Sequence, residues 1–167
     1  GRRVGVTYPT GPITVQKVVS GPGAAAAPSQ FHVALQCVSS GITLQNLPKL
    51  TLIPGGPPAR VSLLPFGSEC TVTEAPQGQT SQVIGTAVVG GPQDPIGLVR
   101  VENIFDVADL TIRKTVNSTA IDNNGALVQY GPFDFAVECT YLGAPIYATG
   151  FGPANPMRAT IGRGDVW

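Results

Sequence analysis

A single histidine, His32, and charged residues amounting to only 12% of 167 positions leave this chain little with which to run acid–base chemistry. His32 falls on the polar row of its segment, so a Ser-His-Asp arrangement has no support. Lysine plus arginine number 10 and aspartate plus glutamate number 10, and this zero balance removes both the basic footprint of a nucleic-acid binder and an acidic tail. No apolar run approaches the roughly 18 residues of a membrane helix. No secretory leader opens the sequence, so an export signal would have been removed or lie outside it. No phosphate-binding glycine loop follows a strand and opens a helix. Asp122-Asn123-Asn124-Gly125 looks like part of a calcium loop, but the glutamate expected downstream is missing, and Asn-Gly reads as a hairpin turn. No metal site and no cofactor is expected. Arg163-Gly164-Asp165 is an integrin-type tripeptide that reads as a turn, and the sequon Asn117-Ser118-Thr119 has meaning only in a host that glycosylates it.

What is plentiful is glycine (21) and proline (16), set among segments rich in valine and threonine. That combination predicts an all-β chain with many turns, long enough for one or two small domains. Residues 21–28 and 54–58 read as loops. Side chains of a strand point to alternate faces with period two. ITVQKVV therefore puts Lys17 in one row with Ile13, Val15 and Val19. CTVTE puts Glu74 with Cys70 and Val72, and VRVENIF puts Asn103 with Val99, Val101 and Phe105. A lysine, a glutamate and an asparagine are all aimed at a core, where charge is almost never left unpaired.

Two readings of this triad stand side by side. Burial favours the neutral forms of amines and carboxyls alike. A neutral Lys17 is a nucleophile, and a protonated Glu74 could polarise the Asn103 carboxamide and shuttle protons while ammonia leaves. The product is an amide joining two strands distant in sequence. In the other reading Lys17 and Glu74 form a buried ion pair with Asn103 hydrogen-bonded beside them, or Lys17 snorkels at the sheet rim, and no bond forms. The spacing alone does not choose between them.

The three cysteines suit an oxidising compartment. FHVALQC puts Cys37 in the apolar row of Phe31, Val33 and Leu35. With Cys70 also inward, a Cys37–Cys70 disulfide closing a loop of about 33 residues is expected in preference to two reduced core cysteines. Cys139 is left over.

The sequence also repeats itself. ITVQKVV matches LTIRKTV, with Lys17 against Lys114, and FHVALQC matches FDFAVEC, with Cys37 against Cys139. Counterparts of LLPFGSECTVTE and VRVENIF do not follow in the second copy, so Lys114 and Cys139 meet no partner residues of that kind. The opening RRVGVTYP aligns with VRVENIFD, with Val6 where Asn103 stands. The expected organisation is a remnant of a preceding strand and linker over 1–11, a complete β-sandwich over 12–106, and part of a second tandem copy over 107–167. The apolar rows Leu110/Ile112/Val116 and Phe133/Phe135/Val137 of the last segment need an opposing sheet. A downstream repeat or a neighbouring protomer is expected to complete residues 107–167, a homopolymer being one form of the second option.

A lysine in the first strand, LPFGSECTVTE in the middle and VRVEN at the end resemble the actinobacterial surface domain of unknown function that occurs in tandem repeats. That family looks like the CnaB-type pilin and adhesin domain. The resemblance implies an immunoglobulin-like sandwich in which Lys17 is the amine, Asn103 the carboxamide and Glu74 the acid that promotes their bond. Cys37 and Cys70 depart from it, since CnaB domains do not generally carry such a pair. The expectation is a non-enzymatic, extracellular or cell-surface structural module that spaces, stiffens or assembles a stalk, layer or filament. The competing class is an adhesin whose loops contact a ligand, although no loop clusters aromatic or charged residues.

Overall fold

A computed structural model describes Gly5, residues 8–90, residues 96–162 and Trp167. Val6 and the Arg163-Gly164-Asp165 tripeptide, both singled out above, lie outside the described residues. The chain divides into two compact units, Gly1–Val107 and Ala108–Trp167. Both are built from strands and turns. The helical element among the described residues is a single 3-10 turn at Ala24–Ala26, inside the segment expected to be loop. None of the described helices is long and apolar enough to cross a membrane.

The first unit is an immunoglobulin-like β-sandwich. Its strands are β1 (Thr10–Ser20), β2 (Phe31–Ser39), β3 (Ile42–Thr43), β4 (Lys49–Leu52), β5 (Ala59–Pro65), β6 (Glu69–Glu74), β7 (Ser81–Ile84), β8 (Ala87–Val88) and β9 (Leu98–Ile104). One sheet runs β5-β1-β9-β7, and the other runs β3-β2-β6-β8 with β4 also paired to β2. First and last strands lie side by side and parallel, with Lys17 opposite Val101 and Val19 opposite Asn103. The alternation read from sequence sets what is buried. Ile13, Val15, Val99 and Val101 from one sheet meet Val33, Leu35, Cys37, Cys70 and Val72 from the other, all at most 5% exposed. Outward neighbours in the same strands, such as His32 and Gln36, are exposed.

One glycine matters to how the parallel pair ends. Gly21, with φ +91°, follows β1 where the chain turns against Phe105, and a Cβ there would strike the Phe105 carbonyl. That close approach lets Phe105 N donate to Ser20 O at 2.9 Å and Gly23 N donate to Phe105 O at 2.8 Å.

The second unit holds β10 (Phe133–Ala136), β11 (Cys139–Tyr141), β12 (Ala144–Ile146) and β13 (Arg158–Ile161). β10 pairs antiparallel with β13 and β11 with β12. Asp122 Oδ1 accepts from the amides of Asn124 and Ala126 at 2.8 and 2.9 Å, so this acidic segment is a turn between the bridged residues Ile121 and Leu127. The LTIRKTV segment, expected to form a strand, alternates in burial from Thr111 to Val116, but Leu110 of the expected inner row is 55% exposed and the segment belongs to no named strand. Its Ile112 exchanges two backbone hydrogen bonds with Trp167, at 2.7 and 2.9 Å. The physical reason is the supply of neighbours. β1 is held as a strand by β5 on one side and β9 on the other, and residues 110–116 have no such pair among the described residues.

Candidate functional site

Lys17, Glu74 and Asn103 converge inside the first unit. β1 and β9 carry Lys17 and Asn103 on the inner face of one sheet, offset by two residues in the parallel register. β6 carries Glu74 on the inner face of the other, because its partner across the ladder is the inward Val33. Lys17 is 2% exposed and Asn103 0%. The Lys17 and Glu74 side chains are each 0% exposed.

The Glu74 carboxylate sits between the other two. Lys17 Nζ donates to its Oε2 at 2.7 Å and Asn103 Nδ2 donates to its Oε1 at 3.2 Å. Gln82 Nε2 also donates to Oε2, at 2.5 Å, and Gln77 Nε2 reaches Oε1 at 3.4 Å. Gln82 Nε2 lies 2.9 Å from Asn103 Oδ1 as well, so one amide group touches both the acid and the carboxamide. Lys17 Nζ lies 4.2 Å from the centre of the Phe31 ring, which gives the cation a second favourable face. Loss of hydration on burial pulls the Lys17 pKa below 10.5, while the hydrogen bond from Nζ to Glu74 and the charge on that carboxylate push it back up. The desolvation is the larger effect, so the site favours the neutral amine more than water does.

Sequence reasoning found the three central residues and missed the two glutamines. The signal for Gln82 lies in β7. Burial there alternates so that Gln82 and Ile84 are half-buried while Ser81 and Val83 are exposed, and Gln82 stands directly opposite Asn103. A glutamine turned inward while its neighbouring valine is 58% exposed reverses what hydrophobicity alone predicts. It is explained once a buried carboxylate needs a donor.

Cys37 and Cys70 form the expected disulfide, directly opposite one another in the β2–β6 ladder with an S–S distance of 2.06 Å. Cys139 is a free, half-buried thiol. Lys114 lies over the Phe133 ring, with Nζ 4.6 Å from its centre, and among the described residues it has no carboxylate partner. His32 is exposed and exchanges a hydrogen bond with Thr51 at 3.1 Å, outside the buried cluster.

Residues 13–106 match the model of a family described as a domain of unknown function (DUF5979). The match falls within the first unit and takes in Lys17, Glu74, Gln82 and Asn103. No curated protein and no solved structure matches the chain.

Proposed function

The chain belongs to the DUF5979 family of domains of unknown function, and from that premise we propose that it is an exported structural module of a bacterial cell-surface stalk, layer or filament, in which the first unit locks itself with a Lys17–Asn103 amide promoted by Glu74. The likeness to CnaB-type pilin domains is part of this reading. The observation that carries it is the single buried carboxylate hydrogen-bonded to both an amine and a carboxamide, which project from the first and last strands of one sandwich.

The chemistry balances within that cluster. A proton passes from Nζ to Oε2 along the 2.7 Å hydrogen bond, leaving a neutral amine and a neutral acid. The amine lone pair attacks Cγ of Asn103. Negative charge then develops on Oδ1, where Gln82 Nε2 already stands 2.9 Å away as a donor. A second proton leaves Nζ and is relayed by the carboxyl group to Nδ2. The Cγ–Nδ2 bond breaks, ammonia departs and Glu74 is left protonated. Nζ thus gives up two protons, one retained by the acid and one carried away by the leaving group. Fixed positions in a water-excluded core stand in for the concentration that such a reaction needs in solution.

A bond at this place suits a mechanical task. Tension applied through the ends of the first unit shears β1 against its parallel neighbour β9. An amide between them carries the load covalently and takes the chain from 17 to 103 out of the force path. Those 86 or so residues correspond to roughly 300 Å of extended chain. Pulling single molecules of the full chain by their termini, with the disulfide reduced, tests this reading. The wild type is expected to withhold about that length on unfolding and a Glu74→Ala chain to release it. Full release by the wild type overturns the proposal.

A further inference from the structure

The second unit repeats the pairing of the first residue for residue. Phe31 opposite Leu52, His32 opposite Thr51, Val33 opposite Leu50 and Ala34 opposite Lys49 become Phe133 opposite Ile161, Asp134 opposite Thr160, Phe135 opposite Ala159 and Ala136 opposite Arg158. The short hairpin repeats too. Val38 faces Thr43 in one unit and Thr140 faces Pro145 in the other, with left-handed turn residues Ser40 and Gly41 answered by Leu142 and Gly143. Val15 opposite Ala59 is answered by the backbone pair of Ile112 and Trp167.

One neighbour of β2 is not repeated. β2 has β4 and β3 on one side and β6 on the other. β10 and β11 have β13 and β12 on the first side, and no described strand lies on the second. Val137 N donates to Met157 O at 2.8 Å, toward β13. In an antiparallel ladder alternate residues turn their N–H and C=O groups to opposite neighbours. The backbone groups of Asp134, Ala136, Glu138 and Thr140 therefore face the open side.

Three side chains in the inner row mark what belongs there. Cys139 occupies the place of Cys37, which in the first unit is bonded to Cys70 of β6. Lys114 stands over Phe133 as Lys17 stands over Phe31, yet among the described residues it has no counterpart of the carboxylate that β6 supplies to Lys17. Tyr141, two residues beyond Cys139, has a buried hydroxyl with no hydrogen-bond partner among the described residues. Phe133, Phe135, Val137 and Cys139 are only half-buried, whereas Phe31, Val33, Leu35 and Cys37 are at most 5% exposed.

We propose that the open side of β10–β11 is an acceptor edge for a β-strand built like residues 69–74, with the pattern Cys-x-Val-x-Glu, and that Cys139 forms a disulfide with its cysteine by thiol–disulfide exchange, the two electrons and two protons of the thiols passing to an external disulfide oxidant that leaves as two thiols. The register follows from β2 and β6. The incoming cysteine lies opposite Cys139 and the incoming glutamate opposite Phe135, where it answers the charge of Lys114. Backbone pairing supplies the affinity and the cysteine the specificity. This inference stands whether or not the Lys17–Asn103 amide forms.

The test uses the full chain and a synthetic peptide, Ser-Glu-Cys-Thr-Val-Thr-Glu-Ala, copied from residues 68–75. Its cysteine is activated as the mixed disulfide with thionitrobenzoate. Attack by the Cys139 thiolate forms the new S–S bond and releases thionitrobenzoate, whose absorbance gives the rate. Strand pairing ahead of exchange raises the local concentration, so the matched peptide is expected to react about tenfold or more faster than a scrambled peptide of the same composition. Proline in place of the threonine after the cysteine removes a ladder amide and is expected to return the rate to the scrambled level. Cys139→Ala is expected to abolish the reaction. Equal rates for matched, proline-bearing and scrambled peptides overturn the proposal, as does undiminished reaction of the Cys139→Ala chain.

Discussion

The two units use one pairing scheme to opposite effect. In the first, Phe31, Val33, Leu35 and Cys37 are at most 5% exposed, while in the second Phe133, Phe135, Val137 and Cys139 are all half-buried. The strands that bear these residues are of the same type and register, so strand propensity is not what separates them. The difference lies in β6 and β9, which close the first sandwich and bring Glu74 and Asn103 to Lys17. A lysine on the inner row meets a buried carboxylate in one unit and, among the described residues, none in the other. What surrounds a side chain, more than its identity, decides its chemistry.

The comparison breaks most severely at Glu74. In an Asn103→Ala background, where no amide forms, Glu74→Ala leaves Lys17 buried without its counter-charge and is expected to cost the first unit about 3–5 kcal/mol. Urea unfolding of the variant, set beside a Lys17→Met/Glu74→Leu pair that removes both charges, measures it. Recovery of much of the loss by the double variant is the expected result.

Reducing the Cys37–Cys70 bond is expected to cost the first unit about 3–4 kcal/mol, from the loop of 33 residues that the bond closes. Protection of residues 108–167 against hydrogen exchange should not change, since Cys139 takes no part in that bond.

A pH series sharpens the contrast further. In an Asn103→Ala chain, which cannot form the amide, folded Lys17 has a pKa below 10.5 while the unfolded residue keeps its ordinary value. Between those two values the unfolded state binds more protons, so stability must rise with pH across that window, and it falls back as pH drops through the folded value. Denaturation of Asn103→Ala with and without Lys17→Met, from neutral pH toward 10.5, isolates the contribution. A pH-independent difference between the two chains would contradict the assignment.

The smallest effect is expected at Lys114. With no carboxylate partner among the described residues, Lys114→Met should change stability by less than about 0.5 kcal/mol, whereas Lys17→Met orphans Glu74 and should cost severalfold more.

Much of this was legible in the residues because period two is a strong signal in strands with one buried face. It placed Lys17, Glu74 and Asn103 inward, paired Cys37 with Cys70, and separated exposed His32 from the core. The internal match of FHVALQC to FDFAVEC predicted a repeat that the ladders of β2–β4 and β10–β13 carry out at the level of single residue pairs. Gln82 was not legible. Its strand has only four residues, too few for alternation to be distinguished from chance, and its inward turn is explained by a carboxylate on the opposite sheet. Residues 110–116 misled for the opposite reason. They carry a strand pattern, but a ladder needs neighbours, and sequence alternation says nothing about whether they are present.

The central claim is a covalent bond, and mass tests it most directly. The intact, fully reduced full chain should weigh about 17 Da less than its sequence, one ammonia, and proteolysis should yield a branched peptide joining Lys17 to Asn103. A mass equal to that of the sequence, with Lys17 and Asn103 recovered in separate peptides, contradicts the account and leaves the triad as a buried ion pair with a hydrogen-bonded asparagine.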